Sequence, residues 1–395
     1  MISFDLDEEQ RLIVDTVRGF AAERLRPRLR ELELGGEVPD DLRRAFEELG
    51  LALLDVPEAL GGAGQSQVTA ALAHEELSFG DPGAAVALAR AQPAACALAE
   101  LADDAQRIRL LAALARPGTF GAVALSEPGR ADGPLFATRA RRDGNSWILS
   151  GRKSWVLFGD RAALTVVFAL VDGEPDGWAG AGAFVVEGRA GVTAAARHTT
   201  LGLNAAPIAE IALEGCRVPS ANRLLGGGDL EAATRRVMAR VALLGAARQV
   251  GLARAAFEYA LRYAEERKAF GKPIAHFQEI AFFLADMHME VESARWLLWR
   301  AARALDTGDA AFSIHAAKAA AHANEAAWFC ADRGVQILGG AGYMRDHPSE
   351  KWMRDTKTLA LFGASTEAHA QAIAAAELGQ CAPAPLEPRL QAAVL

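Results

Sequence analysis

Cysteine is scarce in this chain of 395 residues: Cys96, Cys216, Cys330 and Cys381 stand far apart, and no C-x-x-C pair occurs. Neither a zinc site nor a disulfide framework is indicated, and free structural thiols are the expectation. Long apolar runs are missing as well. No stretch of about 18 apolar residues appears, and the N-terminal "MISFDLDEEQRLIVDTVRGF" mixes acids into its periodicity, so neither a signal peptide nor a membrane span is expected and a cytoplasmic location follows. A basic excess is also lacking: the net charge is -8, with 23% charged residues, which leaves no electrostatic footprint for nucleic acid. The eight histidines are scattered. His315 and His322 could share a helix face, but in an Ala-rich stretch they read as surface or packing positions, so no metal site is expected. No Walker loop, G-x-S-x-G elbow or H-E-x-x-H pair is found, and no strand precedes the glycine clusters at 61–64 and 339–342 as a Rossmann fingerprint requires.

What is present is a three-part texture. The length exceeds what one compact core serves and predicts two or three domains. Over residues 1–117 the apolar residues recur at helical spacing, as in "EEQRLIVDTVRGFAAERL" and "SQVTAALAHEELSF", broken by the loop "VPEALGGAG" at 56–64. Over 118–228 short β-rich runs such as "LTVVFALV", "GAFVVEG" and "IAEIALEG" alternate with Gly, Asp, Pro and Asn, which predicts a small β-barrel or sandwich. Residues 229–395 return to long helices and predict a helical bundle.

Six segments carry the reading further: "VPEALGG", "ALSEPG", "GRKSWV", "LGLNAAPIAEIALEGCRVPSANRLLG", "YAEERKAFGKPIAHFQEIAFFLADM" and "VQILGGAGYMRDHPSEKWMRDTK". In order and spacing they resemble the acyl-CoA dehydrogenase family over nearly the whole chain. The resemblance implies an N-terminal helical domain, a central β-barrel or sandwich domain and a C-terminal four-helix bundle, assembled as a dimer or tetramer around FAD. The implied reaction is α,β-desaturation of an acyl-CoA or other acyl thioester: a carboxylate removes the α-proton while the β-hydrogen leaves as hydride to the flavin. Electron-transfer flavoprotein is a partner the resemblance allows.

The family's usual base is the Glu of a Y-E-G-T turn. Counting from "RDTK" at 354–357 brings Phe362, Gly363, Ala364 and Ser365 onto those positions, with Glu367 on a following polar one, so the acid is replaced by Gly363. The alternative base position, on the first long C-terminal helix, falls at about Val241, also without an acid. Glu231 lies ten residues earlier, roughly 15 Å along a helix, too far for proton transfer. Glu367 and Asp132 remain as replacement candidates.

The contacts to a chain's own flavin are thinned in the same way. Ser126, Glu127, Pro128 and Gly129 match the family's E-P-G segment, but Ala131-Asp132 replace a later Gly-Ser. Trp155-Val156-Leu157 replaces W-I-T, so a hydroxyl donor becomes a leucine. By contrast, Arg267, Phe270, Gln278, Gln336, Gly339 and Gly340 match residues that in the family reach across a subunit interface to the neighbour's FAD; Ser126, Trp155, Ser365 and Glu367 complete the candidate cofactor contacts. Arg suits phosphate through its planar fork, and glycines let the backbone come close. Without the family register, these same residues read as a solvated charge, a surface amide and a helix-ending turn. The asymmetry implies a base-less subunit of a heteromeric, FAD-dependent dehydrogenase. A homotetramer with an unusual base, a flavin monooxygenase on the same fold and a flavin-free packing protein are the alternatives. Trp296, Trp299 and Phe283 read as core rather than pocket wall.

Overall fold

The computed structural model describes residues 5–129 and 136–379; Ala131, Asp132 and Cys381 lie outside them. Seven helices come first: α1 (Glu8–Phe20), α2 (Leu29–Gly35), α3 (Asp40–Glu48), α4 (Gln67–Gly80), α5 (Pro82–Leu88), α6 (Gln92–Leu101) and α7 (Asp104–Leu114). Their starts follow from local chemistry. Asp7 accepts a hydrogen bond from the Gln10 amide at 2.8 Å while the Gln10 side chain accepts from Asp7, and Asp103 with Gln106 repeats the arrangement at α7. Such reciprocal caps satisfy donors that the first helical turn leaves open.

The chain then forms β1 (Gly121–Ala124), β2 (Arg139–Asp143), β3 (Ser146–Leu157), β4 (Leu164–Val171), β5 (Ala181–Glu187), β6 (Val192–Arg197), β7 (Ile208–Pro219) and β8 (Arg223–Leu224). They make one eight-stranded sheet in the order β6-β7-β3-β2-β4-β5-β8, with β1 paired to β4. β4 runs parallel to β1 and β2 and antiparallel to β5. Every residue of β4 is buried, and the two-residue period of a strand divides them. Leu164, Val166, Phe168 and Leu170 pack with Leu98, Leu101, Leu110 and Leu114 of α6 and α7. Val167, Ala169 and Val171 share the opposite core with Trp147, Leu149, Phe184, Ile211 and Val218 from β3, β5 and β7. Because strands from across the sheet meet in that second core, the sheet curls around it.

The last part holds α8 (Leu230–Glu266), the short hairpin β9 (Lys268–Ala269) and β10 (Lys272–Pro273), then α9 (Gln278–Asp306), α10 (Phe312–Leu338), α11 (Ser349–Leu359) and α12 (Thr366–Glu377). α10 packs on α8, α9 and α12, and α8 on α9. Alanines 246, 247, 301, 302, 316, 319 and 320 line the α8–α9–α10 seam, where small side chains let helix axes approach. The N-terminal helices are joined to this bundle closely: a Cβ on Gly251 of α8 would stand 2.1 Å from the Glu75 carbonyl of α4. Ion pairs reinforce the joint, with Glu75 meeting Arg254 and Arg295 at 2.9 Å each and Glu76 meeting Arg254 at 2.5 Å.

One expectation for the bundle is corrected. Trp296 is not core but 43% exposed, on the same outward stripe of α9 as Phe282 (55%) and Met289 (67%). The seven-residue spacing puts all three on one face, turned away from α8 and α10. Trp299 and Phe283 are partly buried against the core. Among the described residues no helix is long and apolar enough to cross a membrane, and no three His, Cys, Asp or Glu side chains gather as metal ligands.

Candidate functional site

The turn holding Gly363 joins α11 to α12, and buried polar tethers fix its position. Lys351 Nζ donates to Asp81 at 2.7 Å and Asp355 at 2.6 Å, tying α11 to the α4–α5 junction. Asp355 also accepts from the Leu203 amide at 2.7 Å, and Thr358 Oγ1 from the Gly202 amide at 2.9 Å. On the other side Gln249 of α8 accepts from Thr356 Oγ1 at 2.9 Å and donates to the Thr356 carbonyl and Asn324 Oδ1 at 3.1 Å. With α11 held this way the turn lies on α8. A Cβ on Gly363 would stand 3.4 Å from Val241 Cγ1 and 3.5 Å from the Ala242 amide nitrogen. The two positions counted separately along the sequence are therefore neighbours in space, and neither carries an acid.

Nearby carboxylates are committed elsewhere. Arg240, beside Val241, pairs with Glu100 of α6 at 2.5 Å, and Arg236 joins the same carboxylate at 2.7 Å. Burial alone would raise Glu100, but hydrogen bonds from both arginines outweigh it and hold the carboxyl below its ordinary range. Such a group is a poor proton acceptor near neutral pH. Glu231 lines an open cleft of about 910 Å³ with Glu100, Asp103, Arg107, Trp178 and Gly226–Gly228. Glu367 is exposed in the first turn of α12. Its own backbone amide, then the Ser365 hydroxyl, hold its carboxyl below the usual value. Ser365 caps α12, accepting from the Ala368 amide at 3.2 Å.

Around Ser126 the structure adds a residue that sequence reasoning missed. Ser126 is half-buried after β1, and its carbonyl accepts from the Ser154 amide at 3.0 Å. Next to it Glu127 accepts from Lys153 Nζ at 2.8 Å, from the Ala137 amide at 2.5 Å and from the Thr138 amide at 3.0 Å. Lys153 Nζ also donates to the Leu125 carbonyl at 3.0 Å and stands 4.3 Å from the Phe136 ring centroid. The ammonium is buried; desolvation pulls it down to about 8, against the pull of Glu127. This pair joins "LSEP" to "RKSW". The available signal was a lysine standing in phase with the inward Trp147 and Leu149 of β3.

Strict alternation would put Trp155 inside too, but a bulge between Lys153 and Val156 breaks the register with β7. Bulges re-aim side chains in this way. Trp155 takes φ 56°, is 61% exposed and stacks on His198 with ring centroids 4.5 Å apart. A bulky residue with positive φ is a genuine outlier, tolerated only where the surroundings enforce it. Leu157 instead joins the core with Phe158, Leu203 and Ala205.

The remaining candidates sit at the far end of the bundle. Arg267, at the end of α8, and Gly340, just past α10, line one cleft of about 390 Å³ with Tyr263, Ile274, Ile337, Leu338 and Ala341. Among the described residues no carboxylate pairs with Arg267. Gln278 at the start of α9, Gln336 near the end of α10 and Gly339 are exposed around it without lining it. Phe270 is 97% exposed at the tip of the β9–β10 hairpin.

The comparisons with known proteins agree along most of the chain. Family profiles described as acyl-CoA dehydrogenase N-terminal, middle and C-terminal domains match residues 7–117, 122–216 and 230–378. The short-chain specific acyl-CoA dehydrogenase, mitochondrial, of Rattus norvegicus is 34% identical over 371 residues, 92% of this chain and 89% of that protein. Butyryl-CoA dehydrogenase from Megasphaera elsdenii superposes with a TM-score of 0.89 at 28% identity, covering 95% of this chain and all of that one. A glutaryl-CoA dehydrogenase from Mycobacterium smegmatis, solved in complex with FADH2, gives 0.86 at 26% identity, covering 96% and 97%. Sequence and fold together establish that this chain belongs to the acyl-CoA dehydrogenase family, oxidoreductases acting on CH–CH groups.

Proposed function

We propose that this chain is the base-less subunit of a heteromeric, FAD-dependent acyl-CoA dehydrogenase of the cytoplasm, which completes the FAD site of a related, base-bearing subunit. The carrying observation is the proximity of Gly363 to Val241, whose Cγ1 would lie 3.4 Å from a Cβ added at Gly363: the two places for a base are adjacent and both lack one. The division into 1–117, 118–228 and 229–395 goes with this reading.

The residues at the far end of the bundle fit a dinucleotide. Arg267 offers a guanidinium without an acid partner among the described residues, and at Gly339 and Gly340 an added Cβ would meet nothing within 4 Å, so a ligand can approach the backbone there. Phe270, Gln278 and Gln336 extend the same exposed end toward a neighbouring subunit. On the chain's own side Ser126, Trp155 and Ser365 are the candidate contacts, and Leu157 offers no donor. Bound FAD supplies hydride acceptance for α,β-desaturation of an acyl thioester. The apolar stripe of Phe282, Met289 and Trp296 supports assembly into a dimer or tetramer, with electron-transfer flavoprotein as the partner that removes electrons.

The test is flavin stoichiometry by absorbance, for the chain alone and after co-expression with a base-bearing relative. Half a flavin per chain in the mixed complex is expected; one flavin per chain in an acyl-CoA-oxidising homo-oligomer overturns the proposal.

A further inference from the structure

Arg248 is a buried cation that no acid among the described residues answers. It lies on α8, only 8% exposed, and among the described residues no carboxylate pairs with its guanidinium. Its Nε has no hydrogen-bond partner. Among the described residues, the titratable groups that interact electrostatically with it are the buried Cys96 thiol from α6 and the buried His74 from α4, whose Nδ1 is likewise without a partner. Ser78 binds only the Arg248 backbone carbonyl, at 2.6 Å. Burial of an unpaired charge is strongly unfavourable, so guanidinium groups in protein interiors are ordinarily paired. Its persistence here calls for an anion that none of the described residues provides.

The position of Arg248 says which anion. Val241, Gly245 and Arg248 follow the i, i+4, i+7 rule and share one face of α8. Val241 is the residue against Gly363. Gly245 is buried, yet a Cβ added there would meet no atom within 4 Å beyond the helix's own backbone and immediate neighbours, so space opens beside the helix between the two. α5, built almost wholly of small residues (Pro82–Leu88, PGAAVAL), packs on α8 as well. Seven residues of helix rise about 10.5 Å. Helical side chains lean toward the N-terminus, which brings the guanidinium back toward Val241 and leaves room for only a short acyl chain.

We infer that this chain's own acyl pocket is retained as a binding site for a short acyl thioester whose far end carries a carboxylate, received by Arg248 with His74 beside it. The thioester head rests on the family reading and on the proposed function; the terminal carboxylate rests on Arg248, His74 and the space at Gly245. A paired guanidinium–carboxylate contact also selects against plain alkyl chains, which would leave the buried cation unanswered.

Isothermal titration of the purified protein, in the complex and with the flavin it retains, tests this with glutaryl-CoA and pentanoyl-CoA, five-carbon thioesters with and without the terminal carboxylate. Glutaryl-CoA is expected to bind at least about tenfold more tightly. R248Q and R248M should lose that preference, and G245V, which fills the space, should weaken both ligands. Melting the unliganded R248M protein adds a readout that a structural role for Arg248 would send the other way: removing an unanswered buried charge should raise Tm. Equal binding of both thioesters, or a preference for pentanoyl-CoA, overturns the carboxylate assignment and leaves the thioester reading standing. Binding of neither overturns both, and a fall in Tm for R248M returns Arg248 to a packing role.

Discussion

At Gly363 the backbone takes φ 88°, a conformation that costs an ordinary L-residue about 1–2 kcal/mol. Gly363→Glu is therefore expected to lower stability by that amount, with its Cβ in ordinary van der Waals contact with Val241. Val241 lies in regular helix at the same spot, so Val241→Glu restores a carboxylate without backbone strain. Exchange of the α-proton of a bound thioester with deuterated solvent, followed by NMR, should rise about 10²- to 10⁴-fold in Val241→Glu; no rise would mean that this turn does not face the α-carbon. His74 sets a pH dependence. Burial, with Arg248 adding to it, holds its imidazole neutral well below the ordinary 6.5. As pH falls below about 6.5 the unfolded chain takes up a proton that the folded chain refuses, so stability drops by up to about 1.4 kcal/mol per pH unit. Urea melts across pH 5 to 7.5 should show this decline, and His74→Gln should flatten it.

Among the elements, α8 joins the proposed site at one end to the proposed assembly surface at the other. Its 37 residues span about 55 Å, carrying Val241 and Arg248 near the turn and ending at Arg267 beside the second cleft. The hairpin that follows is two residues tight, with Phe270 at φ 50° and Gly271 at φ 81°. Two-residue hairpins of this hand favour Asn-Gly, because both positions need positive φ. A phenylalanine there, 97% exposed, gives up local stability, and in the proposed assembly it would supply a large apolar contact to the neighbouring subunit. Phe270→Asn should stabilise the isolated chain by about 1 kcal/mol while reducing flavin retention in the assembled protein. Thermal melts and flavin absorbance after gel filtration measure the two effects; unchanged retention would remove Phe270 from the shared site.

For the whole molecule, an exposed apolar stripe on α9 and an aromatic hairpin tip form the surface that another subunit would cover in the proposed assembly. Met289→Lys, at the centre of the stripe and 67% exposed, should leave the fold intact and shift the assembly to smaller species in light scattering. If the mass is unchanged, the stripe is not the interface. The joint between the N-terminal helices and the bundle is of another kind: close backbone approach at Gly251 and the Glu75–Arg254–Arg295 cluster make α4 part of the bundle's packing.

The sequence alone determined the succession of helical, β and helical parts, because hydrophobic periodicity and turn residues are local properties that need no partner to be read. It also determined which residues could not act as the base, since an absent side chain is visible without a fold. Tertiary structure decided the rest. Gly363 and Val241 became one place only through the tethers of Lys351, Asp355 and Gln249, which connect distant segments. The β3 bulge turned Trp155 outward against the strand's alternation, and Glu127 proved to be the partner of Lys153. Arg248 passed unnoticed in an Ala-rich helix, because whether a guanidinium is solvated or buried without an acid depends on what packs around it.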